Sequence, residues 1–164
     1  MSERPISRGA VTVAPADLPA RVLADAPSAW RVQVPLGQVL IIYADGYGRE
    51  DDQLVYDVLL DGRPPELFDV VSGPLEFLDD VYSEEPEHLH ANEFDWSAAT
   101  GTELTAVPDV WHVGIAGGYE LIVHANDVQE RDGEHVFTLT VRGGGPGLPV
   151  LQVSDSLVTS IRRT

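Results

Sequence analysis

A chain of 164 residues is long enough to bury one sizeable core, and the absence of cysteine excludes disulfides, thiolate metal sites and cysteine nucleophiles. Its 27 acidic residues outnumber its ten basic ones, all arginine, and the formal charge of −17 excludes nucleic acid and anionic membranes as direct partners. Residues 1–8 lack the apolar core of a signal peptide and no apolar run is long enough for a bilayer, so we expect a cytoplasmic protein.

The first half of the chain predicts strands. Residues 30–34 and 39–43 alternate or run apolar around a Pro-Leu-Gly turn, which is typical of a hairpin. A turn is expected at residues 45–48, because it reads Asp-Gly-Tyr-Gly. Residues 54–60 then predict a further strand, with apolar side chains on both of its faces.

The second half predicts more strands. Residues 119–125 and 135–142 carry matching apolar faces, so we expect them to pair as a hairpin across residues 126–133. Residues 150–153 and 157–161 read as the last two strands.

Helix signals are weak and no internal repeat is apparent. Asp17 is a candidate cap for a short helix ending at Pro27, and residues 72–74 are a candidate start for a second helix. We therefore expect one all-β domain over residues 1–164, an antiparallel β-sandwich or barrel with one or two short helices.

The acidic charge is concentrated in the middle of the chain. Between Arg63 and Arg131 there are fifteen Asp and Glu residues and no basic residue except histidine. Such a field is typical of solubility, of salt adaptation or of a basic protein partner. Aromatic residues interleave with the acids, as in interfaces where buried rings anchor a partner and charges speed encounter. The predicted partner-binding residues are Glu76, Phe77, Asp79, Asp80, Tyr82, Glu84, Glu85, Glu87, Phe94 and Trp96. In the alternative interpretation the aromatic residues belong to the core, and the acids form its solvated outer side.

A metal site is a second candidate within the same region. His88 and His90 would project to the same side of an extended segment, and Glu93 could complete a three-ligand set. This spacing resembles the first motif of the cupin family, which implies a β-barrel enzyme or small-ligand binder that uses a divalent metal. His112 and His124 are further candidate ligands. The alternative is a solvated acidic loop without a cofactor.

Two groups of carboxylates are weaker candidates for Ca²⁺ binding or acid–base chemistry. Neither matches a calcium-loop template, and turns are rich in Asp for backbone reasons. The first group comprises Glu50, Asp51, Asp52, Asp57 and Asp61, and the second comprises Asp127, Glu130 and Asp132.

Residues 110–126 and 136–141 carry a Gly-Tyr-x-Leu-x-Val pattern at residues 118–123. This stretch resembles a hairpin of the competence protein J family, small β-rich inhibitors of a DNA-entry nuclease. The resemblance implies a β-sandwich and an inhibitory partnership, and it transfers no functional residue.

Together these features favour a binding protein over an enzyme. The leading hypothesis is an acidic, cysteine-free inhibitor or immunity protein that neutralises a basic nuclease or toxin without a cofactor. The alternatives are the cupin-like metal protein and a structural component with no ligand. Arginines near both ends, Arg4, Arg8, Arg162 and Arg163, leave a homo-oligomer open, because they could contact the acidic face of a second copy.

Overall fold

The computed structural model describes residues 11–34, 38–74, 81–84, 94–143 and 147–164. Within these ranges the chain forms thirteen strands. They are β1 (Val11–Thr12), β2 (Ser28–Val34), β3 (Gln38–Ala44), β4 (Gly46–Glu50), β5 (Gln53–Leu60), β6 (Glu66–Pro74), β7 (Val81–Glu84), β8 (Asp109–Ile115), β9 (Tyr119–Ala125), β10 (Asp127–Arg131), β11 (Glu134–Leu139), β12 (Leu148–Ser154) and β13 (Val158–Arg163).

The strands form two sheets that pack face to face. The first sheet has the order β13-β8-β9-β6-β5-β4, and β1 lies parallel to β6. The second sheet has the order β10-β11-β12-β3-β2-β7. Neighbours along both orders are antiparallel. Buried side chains from both sheets form one apolar cluster between them, as in sandwiches with alternating inward-facing residues. The expected all-β sandwich is confirmed.

The predicted hairpin over residues 30–43 is confirmed as the pair β2–β3. The strand at residues 54–60 is confirmed as β5, and the last two strands as β12 and β13. The turn expected at residues 45–48 is wrong, because Gly46 begins β4, which pairs with β5.

The predicted pairing of residues 119–125 with 135–142 is wrong. Strand β9 pairs with β8 and β6 in the first sheet, whereas β11 pairs with β10 and β12 in the second. The reason is turn chemistry. Gly117 and Gly118 have positive φ and close the β8–β9 hairpin. Asp132 and Gly133, also at positive φ, form a two-residue loop between β10 and β11.

The helices are shorter than expected. Described residues contain two 3₁₀ helices, Pro15–Asp17 and Trp96–Ala98. Asp17 ends the first of them and does not cap it, and residues 72–74 end strand β6 and do not open a helix. In the part of the chain described here, no helix has the length and apolar character needed to cross a bilayer.

The structure contains an internal repeat that the sequence pattern did not show. Strands β2 to β5 correspond to β8 to β11 at a spacing of 81 residues, as the shared start of β4 at Gly46 and β10 at Asp127 illustrates. From β6 and β12 onward the spacing is 80 residues, since Trp30 pairs with Ser83 and Trp111 pairs with Arg163. Reversing the second sheet gives β7-β2-β3-β12-β11-β10, which matches the first sheet strand for strand. Each sheet therefore contains three strands from each half of the chain.

The two halves are related by an approximate two-fold axis near residues 22 and 103. Val22 forms a bridge with Glu103, its own counterpart. Ala20 N donates to Leu104 O at 2.7 Å, and the reciprocal bond runs from Gly101 N to Leu23 O at 2.9 Å. Because each contact occurs twice with its partners exchanged, the relation is that of an isologous interface.

Ala20 and its counterpart Gly101 give a test of this symmetry. Both have left-handed backbone, with φ of 74° and 87°, and a Cβ at Gly101 would meet no atom within 4 Å. We expect Gly101→Ala to lower the free energy of unfolding by about 1 kcal/mol, because left-handed strain exceeds the entropy gained in the unfolded chain. Ala20→Gly should raise it by a similar amount. Denaturant unfolding measures both, and a loss above about 3 kcal/mol for Gly101→Ala would contradict the open space.

Candidate functional site

Most of the predicted partner-binding residues lie outside the described ranges. Glu76, Phe77, Asp79, Asp80, Glu85 and Glu87 belong to this group, as do the predicted metal ligands His88, His90 and Glu93. Tyr82 and Glu84 lie on β7, which pairs with β2 at the end of the second sheet. The acidic segment, defined as residues 75–93, is thus attached to the fold through an end strand.

Phe94 and Trp96 follow directly after the acidic segment. The Trp96 ring is 8% exposed and stacks on Tyr43, with 5.2 Å between ring centroids. Phe94 is half-buried and meets Trp96 edge-on at 4.8 Å. Trp96 belongs to the core, as in the alternative interpretation of the aromatic residues, and it offers a partner little surface.

Four acids in the window between Arg63 and Arg131 form ion pairs with arginines from outside the window. Glu120 Oε2, for example, lies 2.9 Å from Arg162 Nη2. The other pairs are Arg21–Glu66 at 3.4 Å, Arg142–Glu103 at 3.1 Å and Arg163–Asp109 at 3.6 Å. These pairs are largely exposed and contribute little stability, but they neutralise acids on the body of the sandwich.

His112 and His124, the further candidate ligands, each have a separate partner. His112 Nδ1 lies 3.4 Å from Glu120 Oε1, and that glutamate also binds Arg162. His124 Nδ1 lies 2.6 Å from the carbonyl oxygen of Asp69. A guanidinium beside the first pair and a backbone carbonyl beside the second do not favour a bound cation.

One histidine lies between two carboxylates. His135 Nε2 is 2.9 Å from Asp155 Oδ1 and 3.8 Å from Glu130 Oε2. The three potential ligand atoms all lie within 4.8 Å of one another, and among the described residues this is the group of three that could hold a metal ion. The His135 side chain is 15% exposed, whereas Glu130 and Asp155 are more than half exposed. We call these three residues the His135 cluster.

Two tight turns position the His135 cluster. Glu130 and His135 are cross-strand partners on β10 and β11, two residues from the Asp132–Gly133 loop. Asp155 follows β12, and its backbone N–H donates to Gly133 O at 2.8 Å, which ties one turn to the other. Sequence reasoning had grouped Glu130 with Asp127 and Asp132. The Asp-Gly loop was the available signal that Glu130 and His135 face each other.

The His135 cluster exists in only one half of the molecule. The counterparts of Glu130 and His135 are Arg49 and Leu54, which are cross-strand neighbours of the same hairpin in the first sheet. Neither an arginine nor a leucine can bind a cation. The same strand geometry therefore forms without the cluster, so the fold does not require it.

Asp45 is a second titratable group with an unusual environment. Its Oδ2 accepts a hydrogen bond from Leu59 N at 2.6 Å at the start of β4. Burial raises the pKa of Asp45 to about 6, the Leu59 N–H opposes this shift, and the charge of Asp25 adds to it. The counterpart is Asn126, whose Oδ1 accepts from Thr140 N at 2.8 Å. The shared bond indicates a structural role for Asp45.

Comparison with protein-family models, with curated proteins and with solved structures finds no match to this chain. The resemblance to competence protein J therefore stays a prediction from the sequence. Its first stretch forms the β8–β9 hairpin, and its second lies mainly on β11 in the opposite sheet.

Proposed function

We propose that this protein is an acidic binding protein that neutralises a basic protein partner through the acidic segment, in the manner of an inhibitor or immunity protein. The partner class is a nuclease or toxin whose basic surface normally contacts phosphate. Carboxylates of the segment would occupy that surface, and Phe77, Tyr82 and Phe94 would supply apolar anchors. A cytoplasmic location and the absence of direct nucleic-acid binding form part of the same proposal.

A comparison of the two halves carries this proposal. Residues 75–84 contain four acids and no arginine, whereas their counterparts 155–164 contain one acid and two arginines. Residues 85–93 contain three acids, whereas residues 4–12, which are 81 positions earlier, contain two arginines. Since the fold repeats with opposite charge at these positions, it does not demand the acidity. A single-sign patch on one side of a symmetric scaffold supports a charged partner.

The ion pairs of the described residues support the same location. Arg162 and Arg163 on β13 bind acids of the adjacent β8–β9 hairpin, so this edge of the first sheet is neutralised. The equivalent edge of the second sheet is β7, which is flanked by the acidic segment. An end strand also offers backbone groups to a partner.

Charge reversal tests the proposal. Changing Asp79, Asp80, Glu84 and Glu85 to Lys should abolish capture of a basic partner from host lysate at low ionic strength, because steering and complementarity are lost. The matched control changes Asp17, Asp52, Asp61 and Asp127 to Lys. These four side chains are exposed, and both variants carry a formal charge of −9.

The parent and the control should retain one stoichiometric basic protein that rising salt releases. With the purified partner, the segment variant should associate more slowly and with a flatter dependence on salt. Equal loss of the partner in both variants would show that overall charge, and not the acidic segment, is responsible. Unchanged binding by the segment variant would exclude the proposal.

A further inference from the structure

We propose that Glu130, His135 and Asp155 form a binding site for one divalent transition-metal ion of the Zn²⁺ class. The protein ligands would be one imidazole nitrogen and two carboxylate oxygens, with the remaining coordination filled by water or by a group of another molecule. The site is distinct from His88, His90 and Glu93, and it does not depend on the proposed partner.

The geometry of the donor atoms is the first argument. Nε2 of His135 is already within 3.8 Å of one oxygen from each carboxylate. Ligands at about 2.0–2.2 Å from a zinc ion lie about 3–4 Å from one another, so small side-chain rotations are sufficient. The backbone needs no movement, because the β10–β11 turn and the turn after β12 are linked by the Asp155 N to Gly133 O hydrogen bond.

The chemistry of the donor set indicates the class of ion. An imidazole with carboxylates suits Zn²⁺, Mn²⁺ and Fe²⁺, whereas Ca²⁺ and Mg²⁺ prefer ligand sets made only of oxygen. Two carboxylates at one imidazole also repel each other, and they do so in a chain of formal charge −17. A bound dication relieves that repulsion.

The internal repeat is the second and independent argument. A second histidine–glutamate pair, His112 with Glu120, occurs in the first sheet, and there the third member is the guanidinium of Arg162. At the true counterpart of the His135 cluster, Arg49 and Leu54 replace both ligands from β10 and β11. A cation-compatible set of three therefore replaced an arginine and a leucine on a strand pair that is stable without it.

Titration of the chelator-treated full chain with Zn²⁺ by calorimetry tests the inference. We expect one ion per chain and at least about tenfold weaker binding for His135→Leu, which introduces the residue found at the counterpart position. Asp155→Asn and Glu130→Gln keep the side-chain shape and should also weaken binding by about tenfold or more. These two variants keep the test valid if His135→Leu folds poorly.

Two controls separate the site from other histidines. His112→Leu removes the pair that Arg162 neutralises, and it should leave Zn²⁺ affinity unchanged. His88→Ala with His90→Ala should do the same. Binding that is lost in this double variant and kept in His135→Leu would overturn the inference, as would equal affinity for Ca²⁺. Loss of the Zn²⁺-dependent rise in melting temperature only in the three cluster variants would confirm it.

Discussion

At neutral pH the Asp45→Asn variant is expected to be more stable than the parent by about 2 kcal/mol. The ordinary pKa of 3.8 rises to about 6 in the folded protein, so folding makes the Asp45 proton harder to lose. A shift of that size corresponds to about 3 kcal/mol, which we reduce because the side chain keeps some contact with water. Asparagine carries no charge to desolvate, and its oxygen can accept the Leu59 N–H bond.

The pH dependence has a definite direction. Because the folded pKa is raised, the contribution of Asp45 to stability is complete below pH 3.8 and is lost as the pH rises through 6. The advantage of Asp45→Asn should therefore appear between pH 4 and 6 and level off above that range. Urea unfolding of both proteins across this range measures the difference.

The second half provides the reciprocal control for Asp45. Asn126 makes the equivalent hydrogen bond to Thr140 N, so Asn126→Asp should introduce a comparable penalty that grows above pH 4. The combination of the two changes should restore a pH profile close to that of the parent. Parallel stability curves for the parent and Asp45→Asn from pH 4 to 7 would contradict this account.

Replacement of Trp111 by alanine should lower the free energy of unfolding by about 3–5 kcal/mol, because a large buried ring leaves a cavity. Trp111 is 7% exposed, packs edge-on against Phe137 and donates from Nε1 to Ala125 O at 2.9 Å. Trp111→Phe isolates the hydrogen bond, and its loss should cost about 1–3 kcal/mol since the buried carbonyl is left unsatisfied.

Trp30 is the matched comparison for Trp111. It donates to Ala44 O at the same distance of 2.9 Å, but its ring is only half-buried. Trp30→Ala should therefore cost clearly less than Trp111→Ala, and denaturant unfolding of both variants measures the ranking. An equal loss at the two sites, or a neutral Trp111→Phe, would show that burial does not set the difference.

Sequence reasoning predicted most of the strands because apolar alternation is a local signal. It failed at the pairing of β9, because matching apolar faces do not identify the partner strand. That choice depends on turn geometry at residues 117–118 and 132–133. It also failed to find the repeat. Only eight of the thirty residues from 30 to 59 are identical to the residue 81 positions later, and most of these are ordinary core residues.

The His135 cluster was only partly within reach of the sequence. Glu130 and His135 could be paired through the Asp-Gly loop, but Asp155 joins them only when β12 lies beside β11. That proximity is a property of sheet order, which no local pattern specifies. The acidic segment shows the opposite case. Its composition was evident at once, and the structure added the contrast with the oppositely charged counterpart positions.

The exchange of strands between the two halves has a consequence for synthesis on the ribosome. Ile42 of β3 pairs with Leu151 of β12, and Val71 of β6 pairs with Val123 of β9. When the first half has been translated, β3 and β6 therefore still lack one neighbour each, and the apolar faces beside them stay uncovered. The nascent chain must carry open strand edges until the second half emerges, which makes it a natural client for chaperones and slows its folding relative to proteins of local topology.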